Sequence, residues 1–164
     1  MQTVGEHLAE HFGRTLESSK QEPRSETAQT QPMSVNVVYT SPEATAIALR
    51  AADSLALDLN ATVHIRAMIT VPRLLAIEFA FTYVQLFKRL ISELVERFGS
   101  KRCEYVLHIY ICRSRIETLL RVLQPSSLLV IAGRQRLWPT AESRLSRAAI
   151  SAGHSVAFVD AKAF

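Results

Sequence analysis

Glycine is scarce in this chain, five residues among 164, and proline adds six, so neither a collagen-like repeat nor a proline- and glycine-rich disordered chain fits the composition. Cysteine is scarcer still, with only Cys103 and Cys112. A chain of this size hides roughly two-thirds of its unfolded surface on folding, enough for a core without disulfide or metal staples. The few thiols, and an opening MQTVGEHLAEHFGR that carries charges where a secretory signal would place its apolar run, lead to the expectation of a reducing cytoplasm. Long apolar runs are missing as well. The longest, Leu74 to Phe87, is broken by Glu78 and is shorter than the roughly 20 residues that cross a bilayer, so no membrane insertion is expected.

What is present is a globular composition, 48% hydrophobic and 21% charged, with a net charge of +4 that is unevenly spread. Residues 1–33 carry three basic and five acidic side chains, residues 34–100 six of each, and residues 101–164 ten basic and four acidic. The positive field therefore belongs to the C-terminal third. Residues 17–33, ESSKQEPRSETAQTQPM, hold almost no large apolar side chain and read as a linker. Before them, Val4, Leu8, Phe12 and Leu16 recur every four residues, a spacing that predicts a short amphipathic helix. The expected organisation is a flexible arm over 1–33 and one α/β domain over 34–164.

From Ser34 onward, strand-like and helix-like segments alternate. SVNVVYT (34–40) is β-rich and ends in a Ser-Pro turn; Ser41 is the expected N-cap and Pro42 the first turn of a helix carrying Ala44, Ile47, Ala48, Ala51 and Leu55 at helical spacing. TVHIRAMIT (62–70) is a second strand. Pro72 is predicted to open a long helix that turns Leu75, Phe79, Val84, Phe87, Ile91, Leu94 and Phe98 to the core and ends at Gly99. CEYVLHIYI (103–111) is the third strand, followed by a helix with Ser114 as its cap. SLLVIAG (127–133) reads as a strand buried on both faces, PTAESRLSRAAISAG (139–153) as a loop and a helix closed by Gly153, and SVAFVD (155–160) as the fifth strand. Strands separated by helices predict a parallel sheet with helices on both faces. A ligand crevice in such a sheet lies beyond the carboxyl ends of the strands, which directs attention to Tyr39–Ser41, Val71–Arg73, Cys112–Arg115 and Gly133–Arg136.

The segments VVYTSPEATAIALRAADSLA, NATVHIRAMITVP, SSLLVIAGRQR and AAISAGHSVAFVD, in this order, make residues 34–160 resemble a universal stress protein domain. The resemblance implies a doubly wound five-stranded parallel sheet of order 3-2-1-4-5, dimerisation through the last strand (Ser155 to Asp160), and a crevice between the ends of SVNVVYT and SLLVIAG. ATP-binding members of the family carry a signature G-x-x-G followed further on by Gly-Ser or Gly-Thr, whose glycines let backbone N–H groups approach phosphates. In this chain Gly133 alone matches. Arg136 stands at the second glycine, Glu142 precedes Ser143 where the closing Gly-Ser would fall, and the connection is several residues shorter. Tyr39 stands where ATP-binding relatives carry an acidic residue, with Thr40 where glycine is frequent.

The expectation from these departures is a non-catalytic, stress-related binding or regulatory module, with no cofactor and no usual ATP binding. The alternatives are a nucleotide-binding, slowly ATP-hydrolysing protein with an arginine-modified loop, or a sensor of a small anion or metabolite. The candidate crevice residues are Tyr39, Thr40, Ser41, Arg113, Gly133, Arg134, Arg136 and Ser143. Arg113, Arg115, Arg134, Arg136, Arg144 and Arg147 all fall near one sheet edge, where guanidinium groups suit phosphate or carboxylate oxygens; a solvated basic face is the competing reading, and the favoured one. For Ser143 the competing reading is a plain N-cap.

Other chemistry is weaker. Trp138, Tyr110 and Tyr39 could stack on bases, but no nucleic-acid-binding signature accompanies them, so a nucleic-acid partner is not expected whereas a protein partner is compatible. His7-Leu8-Ala9-Glu10-His11 matches H-x-x-E-H without a third ligand, and is read as a solvated turn. Cys112 lies beside Arg113 with no base directed at it, so both thiols read as buried, and His64 and His108 read as strand histidines with satisfied partners.

Overall fold

The computed structural model describes residues 8–12, 34–76, 80–134 and 140–161. Its elements run β1 (Leu8–Phe12), β2 (Ser34–Val38), α1 (Pro42–Leu59), β3 (Thr62–Thr70), α2 (Phe81–Phe98), β4 (Tyr105–Cys112), α3 (Arg115–Val122), β5 (Leu128–Gly133), α4 (Ala141–Ser151) and β6 (Ser155–Asp160). They build a six-stranded sheet of order β1-β4-β3-β2-β5-β6. The five strands from Ser34 onward are mutually parallel, and counted from β2 their order is the expected 3-2-1-4-5.

Period-two alternation divides the side chains between two helical layers. Val35, Val37, Ile65, Ala67, Leu107 and Ile109 meet α1 and α2, while Val38, Met68, Leu129 and Ile131 meet α3 and α4. On α1, Ala44, Ala48, Ala52 and Ala56 succeed one another at intervals of four, all buried, so the helix lies close over the centre of the sheet. The capping chemistry behaves as its residue types dictate. Ser41 Oγ accepts from the Ala44 amide at 3.3 Å, and Ser114 Oγ accepts from the Glu117 amide at 3.4 Å. Beyond α4, Gly153 takes a left-handed φ of +88°, and the His154 amide closes the turn on the Ala149 carbonyl.

Three expectations are corrected. The four-residue spacing over Val4 to Leu16 predicts a helix, but Leu8–Phe12 is a strand paired antiparallel to β4, from Leu8 opposite Ile109 to Phe12 opposite Tyr105. An isolated short helix is marginal in water, whereas the outer edge of β4 offers a ready row of backbone partners. The other residues of that arm lie outside the described ones. The second helix begins at Phe81 and not at Pro72: the Pro72 carbonyl accepts from the Leu75 amide in a turn, and Leu75 is about half exposed. Arg113 explains the stop. Its guanidinium donates to the carbonyls of Val71 (3.0 Å), Pro72 and Leu75 (2.9 Å), holding that segment against the end of β4. The N-cap of α4 is Thr140 in place of Ser143, whose amide donates to Thr140 Oγ1 at 3.2 Å. Among the described residues no helix is long and apolar enough to cross a membrane.

Candidate functional site

The carboxyl ends of β2 and β5, neighbours in the sheet, open into a cavity of about 380 Å³ lined by Thr40, Ser41, Glu43, Gly133, Arg134, Thr140 and Glu142, among others. Thr40 closes its floor: the hydroxyl donates to the Ala132 carbonyl at 3.1 Å, and its amide donates to Thr45 Oγ1 at 3.3 Å. The side chain thus bridges the two strand ends where the sheet would otherwise part. Gly133 faces α4. A Cβ built there would stand 2.8 Å from Glu142 Cβ, 2.9 Å from Glu142 Cγ and 3.3 Å from Phe158 Cζ. The glycine accommodates a neighbouring acidic side chain, which takes the space beside the backbone. That acid also stands in the first turn of α4, where helix N–H groups favour negative charge.

The described lining of this cavity carries two carboxylates, Glu43 and Glu142, against one guanidinium, Arg134. A smaller adjoining cavity of about 190 Å³ shares Thr40 and Glu142 and adds Ser114, Arg115 and Arg144. Arg115 donates from Nη2 to the Tyr39 carbonyl at 2.7 Å, and its Nε is buried without a partner.

Thr40, Ser41, Gly133 and Arg134 line one cavity, and Ser143 stands one residue from Glu142 in the first turn of α4. Tyr39 does not join them. Its ring is buried on the α1/α2 side of the sheet, edge-on to Phe87 with centroids 5.5 Å apart, and burial pushes its phenol pKa upward, Glu43 adding to that and Arg115 opposing it. Arg113 is also apart, engaged with the Val71–Leu75 carbonyls. Arg136 and Trp138 lie outside the described residues. Arg144 and Arg147 are exposed along α4; of the described arginines that the sequence brings to one edge, Arg115 and Arg144 line the smaller cavity, Arg134 the larger, and Arg113 neither.

Two polar clusters escaped the sequence reading. On the α3/α4 side of the sheet, buried Arg66 donates from Nε to Asn36 Oδ1 at 2.9 Å and from Nη1 to Tyr110 Oη at 2.7 Å, and the parallel rings of His64 and His108 approach to 3.0 Å between Nδ1 and Nε2. On the other side, at the amino ends of β3 and β4, Asp53 accepts from Tyr105 Oη at 2.5 Å and from the Ser100 amide at 2.8 Å. Burial raises the Asp53 carboxyl pKa, which these hydrogen bonds partly offset, and raises the Tyr105 phenol, with Asp53 adding to the effect. The signal for Asp53 was available: it follows Leu49 by four residues, on the buried stripe of α1. Among the described residues no group of three or more His, Cys, Asp or Glu side chains gathers as a metal site. At Leu8–Phe12 the strand replaces the helix turn that would have aligned the H-x-x-E-H residues, and His7 lies outside the described residues.

Among solved structures the chain is similar to a universal stress protein from Archaeoglobus fulgidus, with a TM-score of 0.54, 15% identity, and 77% of this chain and 92% of that one covered. It is also similar to a universal stress protein solved in complex with cAMP, with a TM-score of 0.50, 15% identity, and 79% and 97% covered. No protein-family model matches the chain, and neither does any curated protein. The fold is therefore that of the universal stress proteins.

Proposed function

We propose that this chain is a non-catalytic, stress-related binding or regulatory module of the universal-stress-protein fold whose crevice does not take ATP in the family's usual way. The observation that carries this reading is Glu142 packed onto Gly133: the glycine that would admit a phosphate beside its backbone admits a carboxylate-bearing side chain. Glu43 supports it, since a second acid on the wall repels a polyphosphate and leaves a crevice suited to a neutral or cationic group. The module acts by contact with a partner. In the same reading it is a homodimer through β6, whose only strand neighbour among the described residues is β5, leaving an edge for a second copy.

The competing reading, a nucleotide site with an arginine-modified loop, draws on the structural neighbour solved with cAMP and on the open space of about 380 Å³ at the strand ends. Calorimetric titration with ATP, with and without magnesium, separates the two. The proposal expects no saturable heat at millimolar ATP. One-site binding that is lost in Arg136→Ala overturns it in favour of the nucleotide reading. Light scattering at micromolar concentration tests the assembly, and a monomer there refutes the homodimer.

A further inference from the structure

At the opposite end of the sheet, α2 leaves a cavity of about 310 Å³ over the start of β4. Ile65, Ile91, Val95 and Leu107 make its apolar walls, and Tyr105 and Cys103 also line it. Its shape follows from residues already described. Gly99 ends α2 so closely against Tyr105 that an added Cβ would stand 2.6 Å from the Val95 carbonyl oxygen and 2.9 Å from the phenol, and Asp53 fixes that phenol from α1. The helix end is therefore pinned to the sheet at one point, and the space beside the pin stays open.

We propose that this cavity is a second binding site, for a small, uncharged, largely apolar molecule of the size of a two- or three-ring aromatic compound. Size is the first argument: an apolar cavity of about 150 Å³ is enough for benzene, and ligand pockets begin near about 300 Å³. The polar inventory is the second. Tyr105 Oη donates to Asp53, Ser92 Oγ donates to the Lys88 carbonyl at 2.8 Å, and Cys103 Sγ contacts the Asp53 carbonyl at 3.8 Å. Ser100 Oγ accepts from the Arg102 amide at 3.2 Å. These polar atoms of the wall are already engaged, so recognition falls to the apolar surface. Charge is the third argument. Among the described lining residues, exposed Glu96 and Lys101 contribute one charge of each sign, which gives no net attraction to an ion of either sign. Cys103 is half-buried with its pKa raised by burial, so it presents a neutral thiol to the occupant. The site lies away from the β2/β5 crevice and stands whichever reading of that crevice holds.

The probe is the neutral dye N-phenyl-1-naphthylamine, whose fluorescence rises in apolar surroundings, titrated into the full chain. The expected result is a saturable rise with one site per chain, weakened at least tenfold in Val95→Phe and in Ser92→Phe, both of which put bulk into the cavity. Leu86→Ser, on the exposed side of α2, leaves it unchanged. A rise that does not saturate, that survives the filling variants, or that disappears in Leu86→Ser overturns the proposal. Should circular dichroism show that the filling variants do not fold, wild-type protein decides. Saturating dye slows labelling of Cys103 by N-phenylmaleimide at least tenfold, read by mass spectrometry, and unchanged labelling overturns the proposal.

Discussion

The two ends of the sheet differ in what fills them. At the carboxyl ends of β2 and β5, where sheets of this kind receive their ligands, Thr40 bonds to the Ala132 carbonyl, Glu142 packs onto Gly133, and the described lining carries Glu43, Glu142 and Arg134. At the amino ends of β3 and β4 a buried Asp53–Tyr105–Ser100 cluster anchors the helical layer, and an apolar space stands open beside it. The fold therefore determines where a crevice can form, whereas a few side chains determine what that crevice admits. The Asp53 cluster at the amino end is expected to carry more of the stability than the polar contacts at the carboxyl end, and each of the following experiments presses on that division.

The largest effect is expected from Asp53→Ala, which removes the acceptor of the Tyr105 hydroxyl and the Ser100 amide; a loss of about 3 kcal/mol in urea denaturation is expected for buried donors left without a charged partner. A loss no greater than that of Thr40→Ala breaks the division. Next, Gly133→Ala is expected to cost about 2 kcal/mol, as overpacking does, because the new methyl meets Glu142 Cβ. The cost should largely disappear in a Glu142→Gly background. A double-mutant cycle with no coupling would show that the glycine serves something other than Glu142. Thr40→Ala, which removes one hydrogen bond to the Ala132 carbonyl, is expected to cost about 1 kcal/mol.

The smallest effect is in the pH dependence. Burial raises the Asp53 pKa in the folded chain above its unfolded value, so the folded state holds that proton more tightly. Stability from this group is present below the unfolded value of about 3.9 and is lost as pH rises through the folded value. Wild type is thus expected to lose stability across that acidic interval relative to Asp53→Asn, and parallel profiles contradict the assignment. The raised phenols of Tyr39 and Tyr105 act at the alkaline end, where stability falls once the unfolded phenols ionise near about pH 10.

Much of this fold was legible in the sequence because its elements carry local chemistry. Ser41-Pro42 and Ser114 mark helix starts by capping, and the apolar run of β5 marks a strand covered on both faces. What escaped depends on distant partners. Leu8–Phe12 is a strand only because β4 has an edge to offer, and α2 starts late because Arg113, far along the chain, secures the carbonyls that would have begun it. The candidate site divides in the same way. Thr40, Ser41, Gly133 and Arg134 follow from strand ends, while the inward turn of Tyr39 was readable from its parity with Val35 and Val37 and was overlooked. The Asp53 cluster and the Arg66 ladder join residues from separate elements, so spacing along the chain could at most mark their members.

The central claim is that the crevice at the carboxyl ends of β2 and β5 is closed to ATP by the chain's own side chains. Its most direct test is an amide NMR titration of the wild-type chain with magnesium-ATP to millimolar concentration, following Thr40, Gly133 and Ser143. The account expects these resonances to stay in place. Saturable, concerted shifts at all three would contradict it and show that the nucleotide displaces Glu142 from Gly133.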